Sequence, residues 1–541
     1  MNFDQILSAV GGFGKYQKIL YIWICLPQIL LAFHMMVSIF TGSTPPHHCR
    51  ESSISVAGNQ SHFLGTLSLN FSLSDSSCFS SDDLLESNRT ERVPCRQGWV
   101  YSKETFQSTT VTEWDLVCNK AGLNSLSSSI YMFGLLVGSV LFGAMADRYG
   151  RRFILLLSIA LQTGFGVAVA FAPNFSVYVI LRFLVGTTVS GVIINAFVLG
   201  TEWTCTKRRM LAGIFTDYAF GLGYMLLAGI AYLIRDWRKL QLAISAPGFL
   251  LIFYIWVIPQ SARWLLANDR MEEAIALLRK AALVNGQVLP AAVQVEKCQI
   301  LDGGKRSYSA MDLVRTPQMR KRTIILFYIW FVNVLVYYGL SLGVSKLGTN
   351  LYLTQFVFGL IEIPARSLVL LVLPFSRRLS QSGFLAVGGL ACLLMLAVPA
   401  DHPNVLTGLA MVGKFGITAS FAVVYVYTAE IFPTVLRQTG IGVSCMFARI
   451  GGVLAPIINM LHDHSLTTPL VIFGISPLLG AVLSLALPET ADRPLPDTVE
   501  DAENWDMRSP PNKDNPEMSE DTSQSANSKE QQELRCLASQ A

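Results

Sequence analysis

The chain has 541 residues, of which 52% are hydrophobic and only 14% charged, with a formal net charge of +4. A soluble globular domain carries about a quarter charged residues, so this composition excludes that class, and a small positive charge spread over many loops gives nucleic acid no footing. Apolar runs of about 18 residues or more recur along the chain, each able to cross about 30 Å of hydrocarbon as a helix, which makes this an all-α polytopic membrane protein.

Residues 1–17 carry Asp4 and no apolar core before Tyr21, so they read as a polar N-terminus rather than a cleavable signal peptide. The first span falls at 18–40 and contains His34. A polar segment at 41–123 follows, with Cys49, Cys78, Cys95 and Cys118 and the sequons at Asn59, Asn70 and Asn88. An even cysteine set beside glycosylation sequons indicates an oxidising, outward compartment with two disulfides, for which three pairings are open. Five spans come next, at 124–146, 153–172, 176–199, 211–234 and 240–258. Asn174 also heads a sequon, but its loop is too close to the bilayer for a glycan. After a polar segment at 259–322, six more spans follow at 323–343, 351–374, 383–399, 404–427, 439–460 and 468–487. The tail, 488–541, is rich in acidic and amide residues and reads as disordered.

Lys and Arg gather in "DRYGRR" (147–152), "TKRRM" (206–210), the 259–322 segment and "SRRLSQ" (376–381), whereas "APNFS" and "PADHPN" contain none. The positive-inside rule makes the first group cytoplasmic, together with both termini. "RDWRK" (235–239) breaks this pattern, being basic and outward.

The central loop divides the spans into two sixes, 18–258 and 323–487. "GAMADRYGRR" (143–152) is echoed by "LPFSRRLSQ" (373–381), and "LGTEWTCTKRR" (199–209) by "YTAEIFPTVLR" (427–437). Internal repetition of this kind marks a transporter in which two six-helix bundles rock about a central site. In that reading Gly143 lets helix ends approach, and Asp147, Arg148, Arg151 and Arg152, with Glu202 and Glu430 in the second pair of loops, form gating bridges between bundles. No G-x-x-x-x-G-K-[ST] loop occurs, so neither ATP hydrolysis nor any cofactor is expected, and the protein is not an enzyme.

These motifs, with "STTVTEWDLVC" (108–118), "PQSARWLL" (259–266), "AEIFPTVLRQTG" (429–440) and "LPET" (487–490), resemble the organic ion transporter family of the major facilitator superfamily over nearly the whole chain. The likeness is greatest to the organic anion branch, and within it to urate- and nicotinate-exchanging members, through "YYGLSL" (337–342), "YLTQFVFGLIEIPAR" (352–366) and "LRQTGIGV" (436–443). The resemblance implies the major facilitator fold with 12 transmembrane helices. Gln260 departs from the family's P-E-S-x-R-W-L, where an acidic residue stands.

Charges inside spans are expensive and mark function. Arg449 lies mid-span, at a position where the family's cation carriers typically have aspartate, which points to an anion. Arg366 follows Glu362 by one turn, so it is either a local ion pair or a second substrate contact. Lys414, Phe421 and Tyr425 are spaced by seven and four residues on one helical face, suited to an aromatic carboxylate. Tyr337, Tyr338 and His34 complete the candidate substrate set, while Arg182 reads as structural and Asp217 either as a partner of a cavity cation, Lys414 or Arg449, or as a residue facing a neighbouring helix. Three cations against two carboxylates leave a net positive cavity.

The expected function is therefore secondary transport of small organic anions, such as urate, nicotinate and other monocarboxylates, across the plasma membrane by alternating-access exchange. The resemblance implies lactate or a dicarboxylate as counter-anion, a monomeric unit among membrane lipids, and an apical epithelial location. The alternatives are an organic cation or zwitterion (carnitine-like) carrier using Asp217 and Glu362, and a receptor-like member that does not transport.

Overall fold

A computed structural model describes residues 3–50, 78, 95, 98–205, 208–287, 310–343, 349–399, 401–433, 435–463, 465, 467–491, 493, 496 and 498–503. Asn59, Asn70 and Asn88 lie outside the described residues, as do residues 504–541 of the tail.

Among the described residues eleven helices are long and apolar enough to cross a membrane: Lys15–Thr41, Cys118–Tyr149, Arg151–Ala170, Phe175–Glu202, Gly213–Leu233, Trp237–Val257, Pro317–Gly343, Leu351–Val372, Arg377–Ala397, Pro403–Ile431 and Arg437–Met460. A shorter apolar helix, Thr468–Ser484, is the twelfth, and ordinal numbers below follow this order. Hydropathy finds the apolar middle of a helix and misses polar turns at its ends. The ninth helix thus begins at Arg377 rather than near 383, because Ser376 caps it by accepting the Leu379 N–H at 3.1 Å. The second runs through Asp147 and Arg148 to Tyr149, ending where Gly150 takes a φ of 93°. The sixth is helical only in pieces, with a 3-10 stretch at Ala246–Phe253 opening at Pro247 and Gly248.

Packing repeats with an offset of six. The first helix contacts the fourth, fifth and sixth, and the third contacts the fourth and sixth, as the second does the fourth; the seventh, ninth and eighth make the corresponding contacts in the second half. Close approach needs small residues: a Cβ on Gly138 would sit 2.1 Å from the Thr187 carbonyl oxygen, so this glycine sets the spacing of the second and fourth helices. Two helix pairs join the halves, the second with the eleventh and the fifth with the eighth.

At one end of the bundle the four cysteines pair as Cys49–Cys95 and Cys78–Cys118, with Cα separations of 5.4 and 5.8 Å. The basic "RDWRK" stretch lies at this same end. Arg238 is held by Glu113 and by the Ala170 and Ala172 carbonyls, and Arg235 donates to the Glu104 carbonyl at 2.8 Å. These arginines are structural clamps. Asn174 uses its side chain to cap the fourth helix, accepting from Val177 N–H at 2.9 Å.

The opposite, basic end is tied down by two carboxylates. Burial pushes Glu489 up, but hydrogen bonds from Ser376 and from the Ala491, Arg377 and Arg378 N–H groups outweigh it and hold the carboxyl below the usual range. Glu503 likewise accepts from Gln318 and Met319 N–H at 3.0 and 3.2 Å, capping the seventh helix. Part of the 259–322 segment is helical (Ala262–Ala267 and Met271–Val284), and Asn285 accepts from Tyr16 N–H and donates to the Val10 carbonyl.

Candidate functional site

The eighth helix carries Glu362 and Arg366 one turn apart, so both side chains leave the same face. Glu362 is fully buried. Its carboxylate meets Arg366 at 3.0 Å and Lys414 at 3.7 Å and accepts the Tyr337 hydroxyl at 2.7 Å. Arg366 also reaches the fifth helix, donating to the Asp217 backbone carbonyl at 2.8 Å and lying 3.6 Å from its carboxylate. Lys414 donates to Ser341 at 2.7 Å, with its Nζ 2.9 Å from the centre of the Tyr337 ring. Two cations and two carboxylates are consumed in one cluster.

This corrects two expectations and selects between the two alternatives for Arg366. Lys414 is wholly buried behind Tyr337, so the Lys414–Phe421–Tyr425 face does not present an ammonium beside the aromatic pair. The Glu362–Arg366 alternative of a local pair holds in this structure. Asp217 pairs with Arg366, not with Lys414 or Arg449.

Arg449 differs. It is half-buried on the eleventh helix, and among the described residues it makes no hydrogen bond and no ion pair. Its charge acts on the phenols of Tyr131, Tyr338 and Tyr425 and on the Cys445 thiol one turn earlier. Tyr131 belongs to the second helix, so Arg449 sits where the two halves meet. Beside it Tyr425 and Phe421 stand edge to face at 5.3 Å, and both pack against Trp330, at 4.4 and 5.7 Å. Trp330 is fixed by its Nε1–H donating to Thr428 at 2.9 Å. A guanidinium next to a ring wall can hold a flat anion by charge and ring contact, and needs no metal or cofactor to do so.

Trp330 and Tyr131 were not apparent as site residues from sequence, because an aromatic residue in an apolar run carries no local signal. His34 is buried in the N-terminal half, next to Gly166 and Ser245, and its charge neighbour is Arg182 rather than Arg449.

The gating residues pair within their own halves. Arg151 bridges Asp147 at 2.9 Å and Glu202 at 3.4 Å, and Glu430 bridges Arg377 at 3.2 Å and accepts the Thr490 hydroxyl at 2.6 Å. Arg152 donates its side chain to the Ile255 carbonyl, and Arg148 lies over the Tyr149 ring. The space beside Gly143 is open, with no helix end against it. Bridges between bundles are therefore not formed by these residues in this conformation, since each arginine has a nearer carboxylate or carbonyl in its own bundle. Gln260 lacks the family's charge but keeps an acceptor, taking the Arg152 N–H at 3.1 Å. The halves are instead joined at the disulfide end, where Tyr352 stacks on Phe40, touches Phe106 and Tyr232, and donates to the Thr105 carbonyl at 3.0 Å.

Residues 92–501 match the family model described as sugar (and other) transporter. Solute carrier family 22 member 13 of Homo sapiens is 40% identical, with 93% of each chain covered. Organic anion transporter 3 of Homo sapiens is 36% identical over 96% of both chains. The organic cation transporter protein of Drosophila melanogaster is also 36% identical, over 94% of this chain and 96% of its own. Among solved structures, the xylose transporter of E. coli in an inward-open conformation superposes with a TM-score of 0.62 at 17% identity, covering 90% of this chain and 99% of that one.

Proposed function

The chain belongs to the organic ion transporters of solute carrier family 22, multi-pass membrane proteins with the major facilitator fold and not enzymes, and we propose that it exchanges small organic anions across the plasma membrane by alternating access. One observation carries this reading: of the cations lining the contact between the second half and the first, Arg449 is one that no carboxylate among the described residues answers. A monocarboxylate such as nicotinate, or urate, places its charge on the guanidinium and its ring against Phe421, Tyr425 and Tyr338. The aromatic wall favours flat solutes over branched ones. Organic anion transporter 3, by its name, agrees with this sign of charge, whereas the Drosophila melanogaster relative is named for organic cations. The two carboxylates a carried cation could use, Glu362 and Asp217, both face Arg366.

Exchange follows from electrostatics. An inside-negative potential opposes anion entry by about 2.3 kcal/mol per charge per 100 mV, a penalty that a counter-anion leaving with the same charge removes. Lactate or a dicarboxylate is the proposed counter-anion. Both termini and the arginine-rich end face the cytoplasm, and Asn59, Asn70 and Asn88 carry glycans outside.

Counterflow in proteoliposomes tests the proposal. Lumenal lactate or nicotinate should accelerate uptake of labelled nicotinate or urate several-fold over empty vesicles. Uptake indifferent to the lumenal anion would remove exchange; uptake no greater than in protein-free vesicles would remove transport of these solutes altogether.

A further inference from the structure

The N-terminal half contains a second cation without a carboxylate. Arg182, on the fourth helix, is 2% exposed, and among the described residues it makes no ion pair and no hydrogen bond. Its guanidinium lies over the Tyr131 ring, 4.5 Å from the centre. A cation–π contact offsets only a small part of the desolvation of a buried guanidinium, which carries five donors. Two further buried groups near it also lack partners: the Tyr131 hydroxyl and His34 Nδ1, each on a side chain 1% exposed. Arg182 acts electrostatically on both. Three helices thus bring a guanidinium, a phenol and an imidazole together with unused hydrogen-bonding atoms and, among the described residues, no carboxylate paired to the charge.

We propose that Arg182, Tyr131 and His34 form a second anion site, separate from Arg449, which takes a compact monovalent anion of halide size. Arg182 supplies charge and N–H donors, and Tyr131 O–H and His34 Nδ1–H complete the shell. Compactness follows from burial, since all three side chains are 2% exposed or less. Tyr131 feels both guanidiniums, so an anion here lowers the positive potential that a solute meets at Arg449. The site does not rest on the organic-anion reading, since it requires no transported solute.

The test is thermal unfolding of the purified full chain, titrated with sodium bromide against sodium gluconate at constant ionic strength. It is run both in the wild type and in an Arg449→Gln background, so that the central guanidinium contributes nothing. A saturable rise in the unfolding temperature is expected in both backgrounds, abolished by Arg182→Met, with the half-saturating bromide concentration raised at least tenfold by Tyr131→Phe and by His34→Phe. No saturable rise in the Arg449→Gln background, or a rise that survives Arg182→Met, overturns the site. Should Arg182→Met fail to fold, Tyr131→Phe decides, because it keeps cation and ring: an unchanged half-saturation overturns the proposal. Transport of nicotinate or urate is not read, so failure of the exchange proposal leaves this result standing.

Discussion

Around Glu362, two basic side chains and two acidic ones close on each other, at 3.0, 3.6 and 3.7 Å. Around Arg449, one basic side chain faces only phenols, a thiol and ring faces. Both sets line the contact between the halves, and their residue types overlap. The difference lies in whether the fold supplies the counter-charge. A self-neutralised cluster is architecture, because removing one member leaves an uncompensated charge in low dielectric. An unanswered guanidinium is costly to keep unless something else visits it.

The largest effect should come from breaking the neutral cluster. Glu362→Gln strips Lys414 of its carboxylate and leaves Arg366 with its contacts to Asp217, the backbone carbonyl at 2.8 Å and the carboxylate at 3.6 Å. Destabilisation of about 3–5 kcal/mol is expected, measured as a fall in unfolding temperature and in folded yield. A fully stable variant would mean the cluster is not the strut described. Next, Arg449→Gln should leave the unfolding temperature nearly unchanged while uptake of labelled nicotinate falls by about 100-fold, the loss of roughly 3 kcal/mol of charged hydrogen bonding. If stability falls and transport does not, the two regions have exchanged roles.

A smaller effect concerns the basic end. Glu489 has a carboxyl held below its ordinary value by Ser376 and by backbone N–H groups despite burial. Its contribution is therefore present above the ordinary carboxylate range and is lost as pH falls through the lowered value. Unfolding temperature against pH should drop at the acid end in the wild type, and Glu489→Gln should flatten that drop and lower the plateau by roughly 1 kcal/mol, discounted for partial exposure. Coincident curves for the two proteins would contradict this. The smallest effect is expected at the ring wall: Phe421→Leu should raise the half-saturating nicotinate concentration about fivefold, or roughly 1 kcal/mol, with the maximal rate retained.

The spans, their pairing into repeated sixes and the mid-span position of Arg449 could be read in the chain because hydropathy and a mid-span charge are local signals. Partnerships between helices could not. Glu362 to Arg366 was visible as an i,i+4 pair, yet the reach from Arg366 to Asp217 spans two halves and needs their register. Lys414 shares a helical face with Phe421 in projection, but the seventh helix interposes Tyr337, which periodicity on one helix cannot anticipate. Arg182 looked structural because its neighbourhood, His34 and Tyr131, is assembled from three helices distant in sequence. The exception at "RDWRK" was visible as a violation, and only the fold supplied Glu113 and the carbonyls that explain it.

Arg366 grips the fifth helix chiefly through the peptide oxygen of residue 217, at 2.8 Å, with the carboxylate farther off and nearly half solvent-accessible at 46%. Substitution at 217 can change a side chain but not that oxygen. Whatever tilting separates the fifth and eighth helices must therefore peel a guanidinium from main chain. Sequence change at 366 would reach that clasp directly, whereas neutral drift at 217 would leave it in place.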